Sequence, residues 1–279
     1  MSAIFNRKQC MASQAIANQT VWNYFSLLRY VVLGLSLLLT SLSLQAQPSK
    51  QNLKIIFSQY TPPYVFENNT GIVVEIVREA LKPSGYGIEP VYVPIGRGFE
   101  LFAEKRVDGT VIIRENSGLL ANYSDDFMQY HNRAFALSSR QYQLANLTDL
   151  KGKTIIAFQN AHKYLGEAFG KSVADNPNYK EIANQETQTL MLLLGRIDVA
   201  IMDESIFKFY REKLIAEGKV AATVNYDAFS LFPPTPYKTA FTDPAVRDAF
   251  NQELAKMRKD GRYEAIYRKY IDQYFAVKQ

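Results

Sequence analysis

The stretch KRVDGTVII, Lys105 to Ile113, returns as GRIDVAIMD at Gly195 to Asp203, an offset of 90 residues. Each copy places an arginine, an apolar β-branched residue and an aspartate just ahead of an apolar run that suits a buried strand. The surroundings repeat as well. Before the first copy, Leu53–Ser58 (LKIIFS) reads as a short buried strand, and Val73, Ile76, Val77, Ala80 and Leu81 recur at helical spacing. Ile88–Pro94 reads as a second strand and Phe99–Lys105 as a second helix. Before the second copy, KTIIAF reads as a strand, a helix follows from Ala161, and QTLMLLLGR reads as another helix. Alternating strands and helices predict parallel sheets with right-handed crossovers. The fold class that follows is α/β, in two related lobes.

Two extended stretches suit passages between such lobes. Asn132–Arg140 (NRAFALSSR) is one, and Leu231–Phe241 (LFPPTPYKTAF), where three prolines forbid helix, is the other. A helical stripe from Val246 to Met257 and a tyrosine-rich one from Tyr263 to Tyr274 are then expected to pack back on the first lobe. The organisation read from this is residues 1–46 as a leader, 47–139 as the first part of lobe one, 140–235 as lobe two, and 236–279 as the return to lobe one.

The leader reads as a signal peptide. Arg29 precedes the apolar run Val31–Leu44, and Ala46 offers a cleavage residue. The run is short for a membrane span. The long segment before it points to translation starting downstream of Met1, at Met11. The chain's single cysteine, Cys10, falls in the leader, so the mature part has neither a disulfide nor a thiol nucleophile, which suits a bacterial periplasm. Losing Arg7, Lys8 and Arg29 with the leader lowers the formal charge from +5 to about +2. A near-neutral chain without a basic, aromatic-interleaved run argues against nucleic-acid binding. The two histidines, His131 and His162, define no metal spacing, and no cofactor is expected.

The connection SQYTPPYVFENNTG, Ser58–Gly71, joins the first strand to the first helix. Pro62 and Pro63 make it stiff, and Tyr60, Tyr64 and Phe66 lie along it. Aromatics held so stiffly either cap the core or form a contact surface.

Taken in order, YTPPYVFENNTGIVVEIVREAL, KRVDGTVII, YSDDF, LTDLKGKTIIAFQNA, LLLGRIDVAIMDE and KDGRYEAIYRKYI resemble the family 3 extracellular solute-binding proteins of amino-acid ABC importers, over residues 52 to 275. The resemblance implies the type II periplasmic-binding-protein fold, two α/β lobes joined by two crossing strands, closing as a monomer on a small solute for an ABC permease. It implies that Tyr60 stacks on the ligand with Tyr64 beside it. It also implies that Asp203 receives a ligand ammonium, against the plainer reading of Asp203 as a helix cap. Gln159 and Asn160 would offer polar groups and helix-start N–H donors to the ligand anion. The arginine that the family places ahead of its FS motif is missing, and Arg114 or Arg97 is left to take a carboxylate. Other readings on the same fold are a periplasmic enzyme of the cyclohexadienyl-dehydratase kind, hinted at by Glu115 beside Arg114, or a ligand-sensing protein.

Overall fold

The computed structural model describes residues 51–57, 60–93 and 95–275; the expected signal peptide lies outside them. Two sheets are built on one plan. In the first, β1 (Gln51–Phe57) lies between β2 (Tyr86–Tyr92) and β3 (Gly109–Ile113), parallel to both. In the second, β7 (Ile155–Phe158) lies between β8 (Tyr179–Ile182) and β9 (Val199–Asp203), again parallel to both. An antiparallel strand then extends each sheet. The first sheet receives β11 (Thr235–Phe241), which carries β4 (Asn122–Tyr123) and β5 (Met128–Tyr130) on its far side. The second receives β6 (Asn132–Leu137), which carries β10 (Tyr226–Phe229).

The repeated motif does the same structural work twice. Helix α1 (Ile72–Leu81) precedes β2, and α2 (Ile95–Ala103) leads into β3. After α2, Lys105 takes a left-handed φ of 55°, with Lys105 N bonded to Phe102 O at 3.0 Å and Arg106 N to Leu101 O at 2.9 Å. In the second half α3 (Ala161–Tyr164), α4 (Glu167–Val173) and α5 (Gln185–Leu193) lead into β9. Gly195 there has φ 69°, its N bonds to Leu192 O at 2.8 Å, and Arg196 N bonds to Met191 O at 2.9 Å. Both are Schellman-type helix ends. Three residues on, Asp108 Oδ2 accepts Lys54 N at 2.7 Å and Asp198 Oδ2 accepts Thr154 N at 2.9 Å. Each aspartate thus ties the start of one strand to its parallel neighbour.

The structure moves both passages. β6 belongs to the second sheet, so the first passage is at His131, between β5 and β6, rather than at the expected boundary between 139 and 140. The apolar run Ala134–Phe135–Ala136 was read as a crossing but is buried between β9 and β10. The return takes residues 230–234, and Tyr237–Phe241 lies wholly within β11 of the first sheet.

Core packing follows the apolar stripes. Seven of the ten residues of α1 are buried, each large aliphatic one contributing about 1.5–3 kcal/mol. α6 (Glu204–Ala216) packs on α5 and α7 (Pro244–Asp260) on α1. α8 (Arg262–Phe275) touches α1, α6 and α7. In the tyrosine-rich helix the Tyr263 hydroxyl donates to Phe127 O at 2.7 Å and the Tyr270 oxygen accepts Gly71 N at 2.9 Å. No helix among the described residues is long and apolar enough to cross a membrane.

Candidate functional site

A cavity of about 490 Å³ lies among the C-terminal ends of strands from both sheets. That is where open α/β sheets hold their ligands. Ile56 and Phe57 of β1, Ile112 and Ile113 of β3 and Tyr237 of β11 line it from the first sheet. Phe158 of β7 and Asp203 of β9 line it from the second, with Gln159 and Asn160 in the loop after β7.

The end of β3 is bent to reach this cavity. Ile113 faces Lys238 and Thr110 faces Ala240, so β3 holds one more residue than β11 between these pairs. That is a β-bulge, and Ile112 within it has φ 55°, a strained value for a β-branched residue. Just beyond it, Arg114 lines the cavity half-buried, its Nη1 donating to Tyr164 O across the opening at 3.4 Å. Arg97 does not share the site. It lies on the solvent face of α2, paired to Glu100 at 2.6 Å, while Gly98 and Phe99 take the cavity side.

Tyr60 and Tyr64 also stand apart from the cavity lining; the residue of their loop that lines it is Thr61. Paired bonds between Thr61 and Val65, each amide to the other's carbonyl at 3.0 Å, fold the loop into a tight turn. That turn drives Tyr64 into the core, 2% exposed, its ring 4.8 Å from Tyr130. Tyr60 is 40% exposed and meets Phe66 edge to face, and Phe66 in turn packs on Phe209 and Tyr270. Tyr64 and Phe66 pack on the core here, the plainer of the two readings of that stretch, whereas Tyr60 stays exposed beside them.

Asp203 ends β9 and caps α6. Its Oδ1 accepts Ser205 N at 2.9 Å, Ile206 N at 3.2 Å and the Tyr64 hydroxyl at 3.0 Å, and its Oδ2 accepts His131 N at 2.9 Å. It is 2% exposed. Burial pushes its pKa up to about 6, against the pull of those four hydrogen bonds.

The start of α3 was expected to present free donors to a ligand anion, but a carboxylate of the chain itself is already there. Glu181 on β8 accepts Asn160 N and His162 N, each at 2.8 Å, as well as the His162 ring at 2.8 Å and the Tyr179 hydroxyl at 2.6 Å. Burial works against the ionised form of Glu181, yet the bonds from Tyr179, His162 and Asn160 outweigh it and hold the pKa below the usual range. Nothing in the sequence near Asn160 announces this, since Glu181 is 21 residues away.

Sequence reading also missed Lys163, Asn132, Gln185 and Tyr164 as lining residues. Lys163 and Tyr164 were legible only as part of a helix, because the single turn of α3 gives no periodicity to assign a face. Glu115, the hint of acid–base chemistry, is exposed and reaches Lys238 at 3.4 Å instead of lining the cavity. No group of His, Cys, Asp and Glu among the described residues has the geometry of a metal site.

Among solved structures, an ancestral arginine-binding protein bound to arginine matches with a TM-score of 0.63 at 20% identity, over 79% of this chain and 98% of that one. A substrate-binding protein of an ABC uptake transporter from Streptococcus pneumoniae, with bound histidine, gives 0.62 at 16% identity, covering 81% and 95%. A histidine kinase sensor domain similar to periplasmic binding proteins gives 0.61 at 22% identity, covering 80% and 96%. These likenesses establish the type II periplasmic-binding-protein fold. No curated protein sequence matches the chain. The sequence matches the family described as bacterial extracellular solute-binding proteins, family 3, over residues 53–273. With that match spanning most of its length and the two-sheet fold around a shared cavity, the chain belongs to the family 3 bacterial extracellular solute-binding proteins.

Proposed function

We propose that this protein binds a small polar solute, an amino acid or a related compound, in the cavity between its two sheets, and delivers it in the periplasm to an ABC importer. The observation that carries the reading is the lining itself. Arg114 from the first sheet and Gln159 and Asn160 from the second converge on one space, so a solute held by all three would tie the halves together. Closure would turn on the passages at His131 and at residues 230–234, since the chain passes between the sheets there.

Binding rather than catalysis is favoured because Asp203 is the one acid among the described residues that line the cavity, and it is engaged as a helix cap. Acid–base chemistry would need a second group poised beside it. The likeness to a histidine kinase sensor domain supports a second reading, in which the same cavity serves sensing in place of transport.

A thermal-shift screen of the purified protein against amino acids, amines, organic acids and short peptides tests the binding reading. A ligand at a hundredfold excess over its dissociation constant stabilises by about 2.7 kcal/mol. Small-angle scattering with the hit should show a smaller radius of gyration. A hit that leaves it unchanged would remove closure, and loss of uptake of that solute on gene deletion would separate transport from sensing.

A further inference from the structure

We propose that the solute is an organic acid without an ammonium group; this rests on the binding reading above and names the ligand class of that site. The cavity carries two cationic side chains, Arg114 and Lys163, and neither has an ion-pair partner among the described residues. Arg114 is half-buried, and its guanidinium makes a long hydrogen bond, 3.4 Å, to Tyr164 O. A half-buried guanidinium without a carboxylate partner is a ready receptor for one, because its planar fork donates to both oxygens at once. Lys163, at the exposed edge of the same cavity, adds to the positive field.

Nothing comparable awaits a cation. Asp203 already accepts three hydrogen bonds on Oδ1, from Ser205, Ile206 and Tyr64, and one on Oδ2, from His131. At 2% exposure it has little surface left for an ammonium. Glu181 is spent in the same way on Asn160, His162 and Tyr179. Its charge also disfavours an anion at the Asn160 and His162 amides, so the anion's place is at Arg114, with Lys163 at the cavity edge. Phe99 and Phe158 supply apolar contact for the rest of the solute.

The test compares matched pairs that differ in the amino group: phenyllactate against phenylalanine, and succinate against aspartate, by thermal shift and calorimetry on the purified protein. At least one acid should bind tenfold or more tightly than its amino counterpart. Arg114→Gln should weaken that acid at least tenfold and Lys163→Gln about threefold, with ligand-free melting temperatures near that of the unaltered protein. Should Arg114→Gln fail to fold, Arg114→Lys and Lys163→Gln carry the test. An amino acid that binds as tightly as its matched acid overturns the inference and leaves the binding reading standing, as does an acid whose affinity neither variant changes. No response to any acid, amine, amino acid or peptide overturns both.

Discussion

The hydroxyl of Tyr64 donates to Oδ1 of Asp203 over 3.0 Å, joining the loop after β1 to the end of β9, and so one sheet's connection to the other sheet's central strand. His131 N bonds the same carboxylate at the point where the chain passes between the sheets. The acid therefore holds a junction of three segments. Tyr64→Phe keeps the ring and removes this buried, charge-assisted bond, and should lower ligand-free stability by about 1.5–3 kcal/mol in urea unfolding. An unchanged midpoint would mean that the hydroxyl bond contributes nothing there.

The same acid predicts a pH dependence. Its pKa is raised in the folded state to about 6 from 3.8, so the folded protein holds its proton more tightly than the unfolded chain. Its contribution is fully present below the unfolded pKa and is lost as pH rises through the folded one. Asp203→Asn does not titrate. The stability difference, variant minus unaltered protein, should shift toward the variant by up to about 3 kcal/mol between pH 3.5 and 7, at about 1.4 kcal/mol per unit. A flat difference across that range, from urea unfolding at each pH, would contradict the shift.

Glu181 predicts the opposite slope. Its folded pKa is lowered, so its stabilisation is present above its unfolded value and lost as pH falls through the folded one. Glu181→Gln at pH 7 should destabilise by about 1–3 kcal/mol, since the amides of Asn160 and His162 keep at most one carbonyl acceptor between them. The loss should shrink toward pH 3. Faster hydrogen exchange at those two amides would locate the effect.

The matched helix ends give a reciprocal pair. Lys105 holds a left-handed backbone that suits glycine, and Gly195 supplies glycine at the matching place. Lys105→Gly should stabilise by up to about 1 kcal/mol, and Gly195→Ala should destabilise by about 1–2 kcal/mol, each measured by thermal unfolding. The latter loss would be backbone strain, because a Cβ at Gly195 meets nothing nearer than Leu137 at 3.6 Å.

Gly71 is a harsher case. It opens α1 at φ 125°, and a Cβ there would stand 2.3 Å from Tyr64 O. Gly71→Ala should cost about 2 kcal/mol or more, because either the turn or the helix start must move. A melting temperature equal to that of the unaltered protein would show the loop to be looser than its hydrogen bonds imply.

What the sequence disclosed follows from what is local. The 90-residue echo exposed the two-sheet plan because a helix end, a strand start and the aspartate between them lie within nine consecutive residues. Arg114 was legible at the exit of a buried strand, and Gln159, Asn160 and Asp203 through the family resemblance; all four line the cavity because strand ends meet there. The direction of a side chain on a loop was not legible. Tyr64 turns inward because Thr61 and Val65 pair across the turn, and Arg97 turns outward because it shares a helix face with Glu100. The passage at His131 was hidden too, since β6 is as apolar as a linker between packed lobes would be, and only its pairing with β9 and β10 assigns it.

The place of β11 bears on how the chain acquires its shape. The second sheet is drawn from one continuous stretch, residues 132–229, whereas the first lacks an interior strand until residues 235–241 are available. A chain emerging N-terminus first can therefore complete its second half while its first half still waits with an open edge at β3, the pairing of greatest sequence separation being the slowest to close. A fragment ending before Thr235 should accordingly hold a protease-resistant second half beside a cleavable first. A fragment starting at Asn132 should keep β11, α7 and α8 as an unpartnered tail. Residues 235–275 thus decide when the sheet begun at Gln51 becomes complete.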